Sequence, residues 1–479
     1  MQPKSIVVIF ILSAALAIGV RCQKEKIQST EDIAIPPNVI VLLADDLGYG
    51  DLSIYGSQSI ETPNIDSLAR LGMRFSSFYA GSAVCSPSRA CLLTGKFPLR
   101  FDIRRHFTDE EEHLPTSATT ISEILGRAGY FTAHIGKWHL GGLRPKDYKA
   151  RNLGQKANPG PLQHGFDHSL TSIEGAPIRP DLINKRQLYR QGGKYMVRND
   201  QRAKENSGHW TEIKVDEAIE VIDMSTKAQK PFFLNLWFDV PHTPYEPAPE
   251  PHYSKYKRLG VQGDQLKFRS MVSHLDANIG RLIRHLKGKG IFENTLILFT
   301  SDNGPAYEGS PGPFRGGKTD LHEGGIRVPM FAVWKNKIPQ NSHSFNTIHM
   351  ADLLPTVCDA VNIKIEDSLN LDGKSQWNVF TDNEGYTLRE PLFWQMDLYK
   401  HFQNQGPKPK PFSTSVVIEG KWKMLADSIN PVELFNLQQD HRELYNLLGS
   451  EPEIERSLSG KLEDFLQAER NRSGFLESN

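Results

Sequence analysis

The feature that most constrains the fold is a series of short apolar runs, each stopping at polar residues able to do chemistry. Residues 38–44 (NVIVLLA) are almost continuously apolar and end at Asp45-Asp46. The run 131–135 ends before Gly136, Lys137 and His139, the run 232–240 (FFLNLWFDV) before Pro241-His242, and the run 295–300 (TLILFT) before Ser301-Asp302-Asn303. A strand with no alternating polar positions is buried on both faces, as the central strands of a parallel sheet are. Residues 327–334 give a further expected strand. Segments with helical spacing lie between the runs: 65–75, 119–128, 212–224, the long amphipathic stretch 265–287, and 349–361. This alternation predicts an α/β fold, with a large, mostly parallel sheet covered by helices on both faces. Ligands bind such sheets beyond the carboxyl ends of the strands, so the four polar termini are expected to converge on one edge.

The pattern changes after residue 366. Residues 415–418 and 421–425 flank Glu419-Gly420, a hairpin signal, and a helix is expected over 452–468. The expected division is therefore a catalytic domain at 36–365 and a small C-terminal α+β domain with a short antiparallel sheet at 366–479. The start of the chain reads differently. Lys4 precedes an uncharged apolar run at 6–20, which is short against the ~20 residues a membrane-spanning helix needs. Residues 1–22 read as a cleaved signal peptide, with Gly19 and Cys22 both open as the last residue removed. The mature chain is then expected in the secretory pathway, with no stable membrane anchor. Lys+Arg and Asp+Glu are both 56, which argues against a broadly basic nucleic-acid surface. Four cysteines in 479 residues do not make a disulfide framework. One N-glycosylation acceptor is present, Asn471-Arg472-Ser473.

Asp45, Asp46, Asp302 and Asn303 offer only oxygen ligands. That set suits a hard cation, Ca²⁺ or Mg²⁺, although each pair alone is equally an ordinary cap or turn. Residues 85–95 read CSPSRACLLTG. Pro87 fits the first turn of a helix, which places Cys85 at a helix N-terminus where free N–H groups favour an anion. Arg89, four residues on, is placed to hold Cys85 or an anionic ligand. Lys137 and His139 alternate along an extended backbone and can share one face. His242 follows a strand end, and Lys318 sits in the glycine-rich stretch 312–329.

Two of these segments match known signatures. Residues 85–95 fit the sulfatase signature C-x-P-S-R-x-x-x-L-T-G at every fixed position, and residues 129–141 (GYFTAHIGKWHLG) fit the second one. The chain resembles a type I sulfatase of the alkaline-phosphatase superfamily, nearest the arylsulfatase A and N-acetylgalactosamine-6-sulfatase branch. The resemblance runs over 38–361 and reappears at 433–437. It implies that a formylglycine-generating enzyme oxidises Cys85 to formylglycine, whose hydrate attacks sulfur. It also implies that Asp45, Asp46, Asp302 and Asn303, with the oxygen of residue 85, hold Ca²⁺ in preference to Mg²⁺. Arg89, Lys137, His242 and Lys318 would surround the sulfate, and Lys318 or His242 would protonate the leaving alcohol. His139 would take the second proton as sulfate departs. His322 and Glu323 receive no catalytic role, and the polar residue that the family carries after its second signature is unassigned.

The implied substrate is a sulfated sugar, glycolipid or aryl sulfate, chosen by the loops at 144–206 and 403–411. Two other readings stay open: a phosphate or phosphonate ester hydrolase of the same superfamily, and an inactive secreted binding homologue. The implied compartment is extracellular or lysosomal, or periplasmic in a bacterium.

Overall fold

Burial on both faces accounts for the central strands. The computed structural model describes residues 36–107, 112–141, 159–172, 196–203, 208–382, 390–397 and 413–476. The expected signal peptide 1–22, the segment 403–411 and most of 144–206 lie outside these. In chain order the strands of the first sheet are β1 (Asn38–Asp45), β2 (Met73–Tyr79), β3 (Phe131–Gly136), β4 (His168–Ser172) and β5 (Met196–Arg198). They continue with β6 (Gln201–Arg202), β7 (Phe232–Pro241), β8 (Thr295–Ser301), β9 (Met330–Val333) and β10 (Ser342–His349). Their order across this ten-stranded sheet is β10-β2-β9-β8-β1-β7-β3-β4-β5-β6.

β1 is buried at all eight positions and runs parallel to both neighbours, β7 and β8. Successive side chains point to opposite faces, so Ile40 and Leu42 enter one core layer while Val39, Val41 and Leu43 enter the other. The first layer is completed by the helices Trp210–Lys227 and Gly263–Gly288, through Val221, Ile222, Leu275 and Ile279. The second is completed by the helices Cys85–Thr94, Ile121–Arg127 and Leu353–Ala360. Thr120 caps Ile121–Arg127, its hydroxyl accepting from Glu123 N–H while the Glu123 side chain accepts from Thr120 N–H.

Two expectations are corrected. The helix expected over 65–75 stops at Ala69 (Pro63–Ala69), and Met73–Tyr79 is a strand instead. Gly72 explains the break: a Cβ there would lie 2.0 Å from the Ala332 carbonyl oxygen, so the chain passes directly against β9. The strand expected over 327–334 shortens to Met330–Val333 and pairs antiparallel with both β2 and β8. Arg327 is drawn out of it by an ion pair to Glu323.

The hairpin around Glu419-Gly420 forms as read from the sequence, with Glu419 opposite Trp422. Four strands, β11 (Leu392–Gln395), β12 (Ser415–Glu419), β13 (Trp422–Asp427) and β14 (Asn430–Asn436), make an antiparallel sheet in that order. One face packs on Leu458, Leu462 and Leu466 of the helix Pro452–Leu476. The other packs on Tyr79, Ala83, Leu321 and Ile326. Among the described residues, no helix is long and apolar enough to cross a membrane.

Candidate active site

Four adjacent strands, β8, β1, β7 and β3, run parallel and end on the same edge. Each then delivers polar groups at that edge. β1 shifts register against β7 between Leu43 and Asp45, and Asp46 adopts a left-handed φ of 62°. Its N–H donates to Asp302 Oδ1 at 3.2 Å, which joins the ends of β1 and β8. β3 ends at Gly136, where a Cβ would fall 1.6 Å from the Trp237 carbonyl oxygen, so glycine is required for the close crossing that aims Lys137 inward. The stretch carrying Lys318 is tied at both sides. Lys318 N–H donates to Pro305 O and Thr319 N–H to Ala83 O, both at 2.9 Å, and Ala83 is two residues from Cys85.

Cys85 is the first residue of its helix and is buried. Its Sγ lies 3.5 Å from Lys137 Nζ and 3.8 Å from Asp45 Oδ1. Lys137 Nζ donates to Asp45 Oδ2 at 2.7 Å, and Lys318 Nζ to Asp46 Oδ2 at 2.8 Å. Arg89 is fully buried and its arms are occupied. Nε and Nη2 donate to Asp302 Oδ2 at 3.1 and 2.7 Å, and Nη1 to the Lys137 carbonyl at 2.9 Å. The guanidinium thus braces the site from below rather than meeting Cys85 directly. His242 donates from Nδ1 to its neighbour Thr243 O, leaving Nε2 turned to Asp46 Oδ2 at 3.6 Å.

The electrostatics follow from burying so many charges together. Burial works against ionising Asp45, but Lys137, His242, Arg89 and Lys318 outweigh it and hold the carboxyl well below its usual range. Asp46 is lowered as well, burial being overcome by Lys318 and His242. Asp302 goes the other way: burial and the Asp45 charge push it up to about 6 despite Arg89. Burial pushes the Cys85 thiol up to about 12 in spite of both lysines. Burial and the positive charge of Lys137 and Arg89 hold His139 well below the ordinary imidazole range.

The donor set fits a cation. Ligand atoms of Asp45, Asp46, Cys85 and His242 all lie within 4.8 Å of one another. Asn303 Nδ2 donates to Asp46 Oδ1 at 2.8 Å, while its Oδ1 is buried without a hydrogen-bond partner. A buried carbonyl oxygen left unpaired is costly, and a metal ion at the Asp45–Asp46 cluster would satisfy it.

Asp45, Asp46, Cys85, Arg89, Lys137, His242, Asp302, Asn303 and Lys318 therefore form one connected cluster. His139 stands at its side, its Nε2 3.2 Å from the Phe107 carbonyl. Asn471 is exposed on the C-terminal helix. Sequence reasoning missed His106, whose ring centroid is 6.0 Å from that of His139. It lies in no motif, and only the fold brings it here.

Comparison with known proteins identifies the family. The sulfatase family model matches residues 37–363, and a model described as N-sulphoglucosamine sulphohydrolase, C-terminal, matches residues 317–471. The chain is 35% identical to N-acetylgalactosamine-6-sulfatase of Canis lupus familiaris over 359 residues, covering 71% of this chain and 65% of that protein. It therefore spans just under two thirds of that relative. It is 30% identical to human arylsulfatase A over 476 residues, covering 89% of this chain and 87% of that protein. The structure of Ps i-CgsB in complex with k-i-k-neocarrahexaose is similar at a TM-score of 0.76 and 28% identity, covering 90% of this chain and 92% of that one. With the signature residues gathered at one sheet edge and the family matched over most of its length, the chain belongs to the sulfatase family of sulfuric ester hydrolases.

Proposed function

We propose that this chain hydrolyses the sulfate monoester of a sugar, glycolipid or aryl alcohol, with residue 85 as formylglycine and Ca²⁺ at the Asp45–Asp46–Asp302–Asn303 oxygens. The observation that carries the reading is the placement of Lys137 and Lys318, each on a carboxylate of that cluster, around a buried Cys85. Two fixed ammonium groups beside one nucleophile position suit the negative charge on the sulfate oxygens in the trigonal-bipyramidal transition state of attack at sulfur. The unmodified thiol suits it poorly, because burial keeps it neutral.

When present, the hydrated aldehyde supplies the attacking oxygen and the cation polarises it. The chain's own residues do the remainder. Asp302 and the Lys137 carbonyl lock Arg89, which fixes the floor of the site and adds positive charge beneath the sulfate. Lys137 and Lys318 bind the sulfate oxygens. Because Nδ1 of His242 is committed to Thr243 O, its Nε2 is the atom that faces substrate, and it or Lys318 hands a proton to the leaving alcohol. His139 donates from Nε2 to Phe107 O, which selects the tautomer with Nδ1 as acceptor, and it serves as the base for sulfate release.

The compartment proposed is the secretory pathway, with residues 1–22 removed and Asn471 open to glycosylation. The proposed division is a catalytic domain at 36–365 and a C-terminal domain at 366–479. Mass spectrometry of the peptide spanning residue 85, on protein from its native host, tests the modification. Kinetics on matched aryl sulfate and aryl phosphate esters test the reaction. Unmodified cysteine throughout, or faster phosphate turnover, would defeat the reading.

A further inference from the structure

Glu433 stands on β14 between the two flanks of the stretch that carries Lys318. Its Oε1 accepts from Arg315 Nη1 at 2.9 Å and its Oε2 from His322 Nε2 at 2.7 Å. Arg315 precedes Lys318 in the chain and His322 follows it, so one carboxylate grips both arms of the stretch. The arms also meet each other. Gly324 N–H donates to Arg315 O at 2.7 Å, and Asp320 N–H to Gly317 O at 2.9 Å. His322 is turned to Glu433 by Asp320, whose Oδ1 accepts from His322 N–H at 3.1 Å and from Nδ1 at 2.5 Å. From this closed stretch Lys318 Nζ reaches Asp46 Oδ2 at 2.8 Å. The strand that bears Glu433 is anchored. Glu433 pairs with Leu425 across the C-terminal sheet, and Leu434 and Phe435 beside it are fully buried. Burial works against ionising Glu433, but His322 and Arg315 outweigh it and lower the carboxyl from its usual range, so it is held as a carboxylate.

We propose that Glu433 is a positioning residue for the reaction, setting from the C-terminal sheet where Lys318 meets the sulfate. The inference rests on the sulfatase reading above, which puts Lys318 on a sulfate oxygen. A lysine ammonium rides on a flexible stem, so it is placed only as well as the backbone that carries it. Two main-chain bonds hold that backbone to the large sheet, from Lys318 N–H to Pro305 O and from Thr319 N–H to Ala83 O. They fix the middle of the stretch and leave it able to pivot. Glu433 fixes both flanks with charge-assisted hydrogen bonds, which are stronger than neutral ones, and so removes the pivot. Misplacing a group that contacts the substrate by about 1 Å costs on the order of 100-fold in rate.

The test uses the full-length enzyme with formylglycine confirmed, as wild type, Glu433→Ala, Glu433→Gln, Lys318→Ala and Lys318→Ala/Glu433→Ala. Glu433→Ala is expected to lower kcat/KM on p-nitrophenyl sulfate about 10-fold and to weaken binding of inorganic sulfate, read by calorimetry, by a similar factor. Calcium per chain stays at the wild-type level. Glu433→Gln still accepts from Arg315 but loses an acceptor towards His322, so its kcat/KM falls between wild type and Glu433→Ala. In the Lys318→Ala background, Glu433→Ala changes kcat/KM by less than about twofold, because the group it positions is gone. A merely structural role would cost the same factor in both backgrounds, and that result overturns the inference. Unchanged sulfate affinity in Glu433→Ala also overturns it, as does calcium lost together with sulfate, which marks collapse of the whole site. Where Lys318→Ala leaves no measurable rate, the sulfate and calcium readings of Glu433→Ala decide. A Lys318→Ala enzyme as active as wild type overturns the inference by taking Lys318 off the sulfate. A wild type inert on both p-nitrophenyl sulfate and N-acetylgalactosamine 6-sulfate sinks the sulfatase reading itself.

Discussion

Lys423 is the place where the C-terminal sheet reaches into the catalytic edge. It sits on β13, fully buried, with Nζ 2.9 Å from Glu323 Oε1 and 2.8 Å from Glu443 Oε1. Glu323 opens the short helix Glu323–Ile326 that follows the Lys318 stretch, and its N–H donates to Glu443 Oε2 at 2.7 Å. Lys423→Met keeps most of the stem volume and removes the charge. Glu323 retains Tyr79 Oη at 2.8 Å and Arg327 Nη1 at 3.0 Å, so the carboxylate left exposed to the penalty is Glu443. Breaking a buried ion pair costs roughly 3–5 kcal/mol. With Glu323 still held, the lower end, about 3 kcal/mol at pH 7.5, is expected. The sign with pH is fixed. Burial already raises the Glu443 carboxyl above its usual range even with Lys423 present. Losing the lysine raises it further, so Glu443 takes up a proton as pH falls and the penalty shrinks. Urea unfolding midpoints at pH 7.5 and 5.0 measure this. Lys423→Met/Glu443→Gln, which removes both charges, is expected to recover more than half of the loss. A cost below about 1 kcal/mol at pH 7.5, a cost independent of pH, or a double variant no better than the single one would refute the reasoning.

Two further outcomes follow from the same geometry. Asn303→Leu deletes the unpaired buried oxygen beside Asp46, so dialysed protein should retain less than about half the wild-type calcium per chain by elemental analysis; full retention would remove Asn303 from the ligand set. His322 is clamped between Asp320 Oδ1 at 2.5 Å and Glu433 Oε2 at 2.7 Å, and against burial these carboxylates raise it to about 9. Its folded value exceeds its unfolded value of about 6.5, so its stabilisation is full below that pH and is lost as pH rises towards 9. The expected loss is about 2–3 kcal/mol, read as a urea midpoint that falls more steeply over this window in wild type than in His322→Gln. Equal slopes would show that the clamp contributes nothing.

Legibility in the sequence tracked how local each feature is. Central strands were readable because burial on both faces leaves its mark within eight residues, as in β1. Strands whose partners are distant and whose faces differ were not. The first residues of β2 read as the tail of a helix, since Ile65, Leu68, Ala69 and Gly72 before them fit helical spacing. Only pairing with β10 and β9, more than 250 residues away, makes it a strand. The same rule divides the site. Asp45-Asp46, Lys137 and Asp302-Asn303 could be singled out because each stands at or directly after the end of its strand, so sheet topology alone gathers them.

Arg89 shows what a motif leaves out. Its identity is legible in the signature, but its partner is not. Four residues from Cys85, it invites the reading that it holds that residue, yet its strongest contact is Asp302, 213 positions on. A fully buried guanidinium needs a charged acceptor, and the carboxylate just past β8 supplies it: Asp302 Oδ2 accepts from both Nε and Nη2, while its Oδ1 accepts from the Asp46 N–H. The arginine therefore couples two strand ends, β1 and β8, to the helix that presents residue 85. Lys423 does the same from the other side, through Glu323 and the stretch bearing Lys318. In both cases a cation buried between elements far apart in sequence ties together the segments that carry the clustered side chains. Arg89 looks catalytic in its motif, but its contacts also set the distance between the strand ends that it joins.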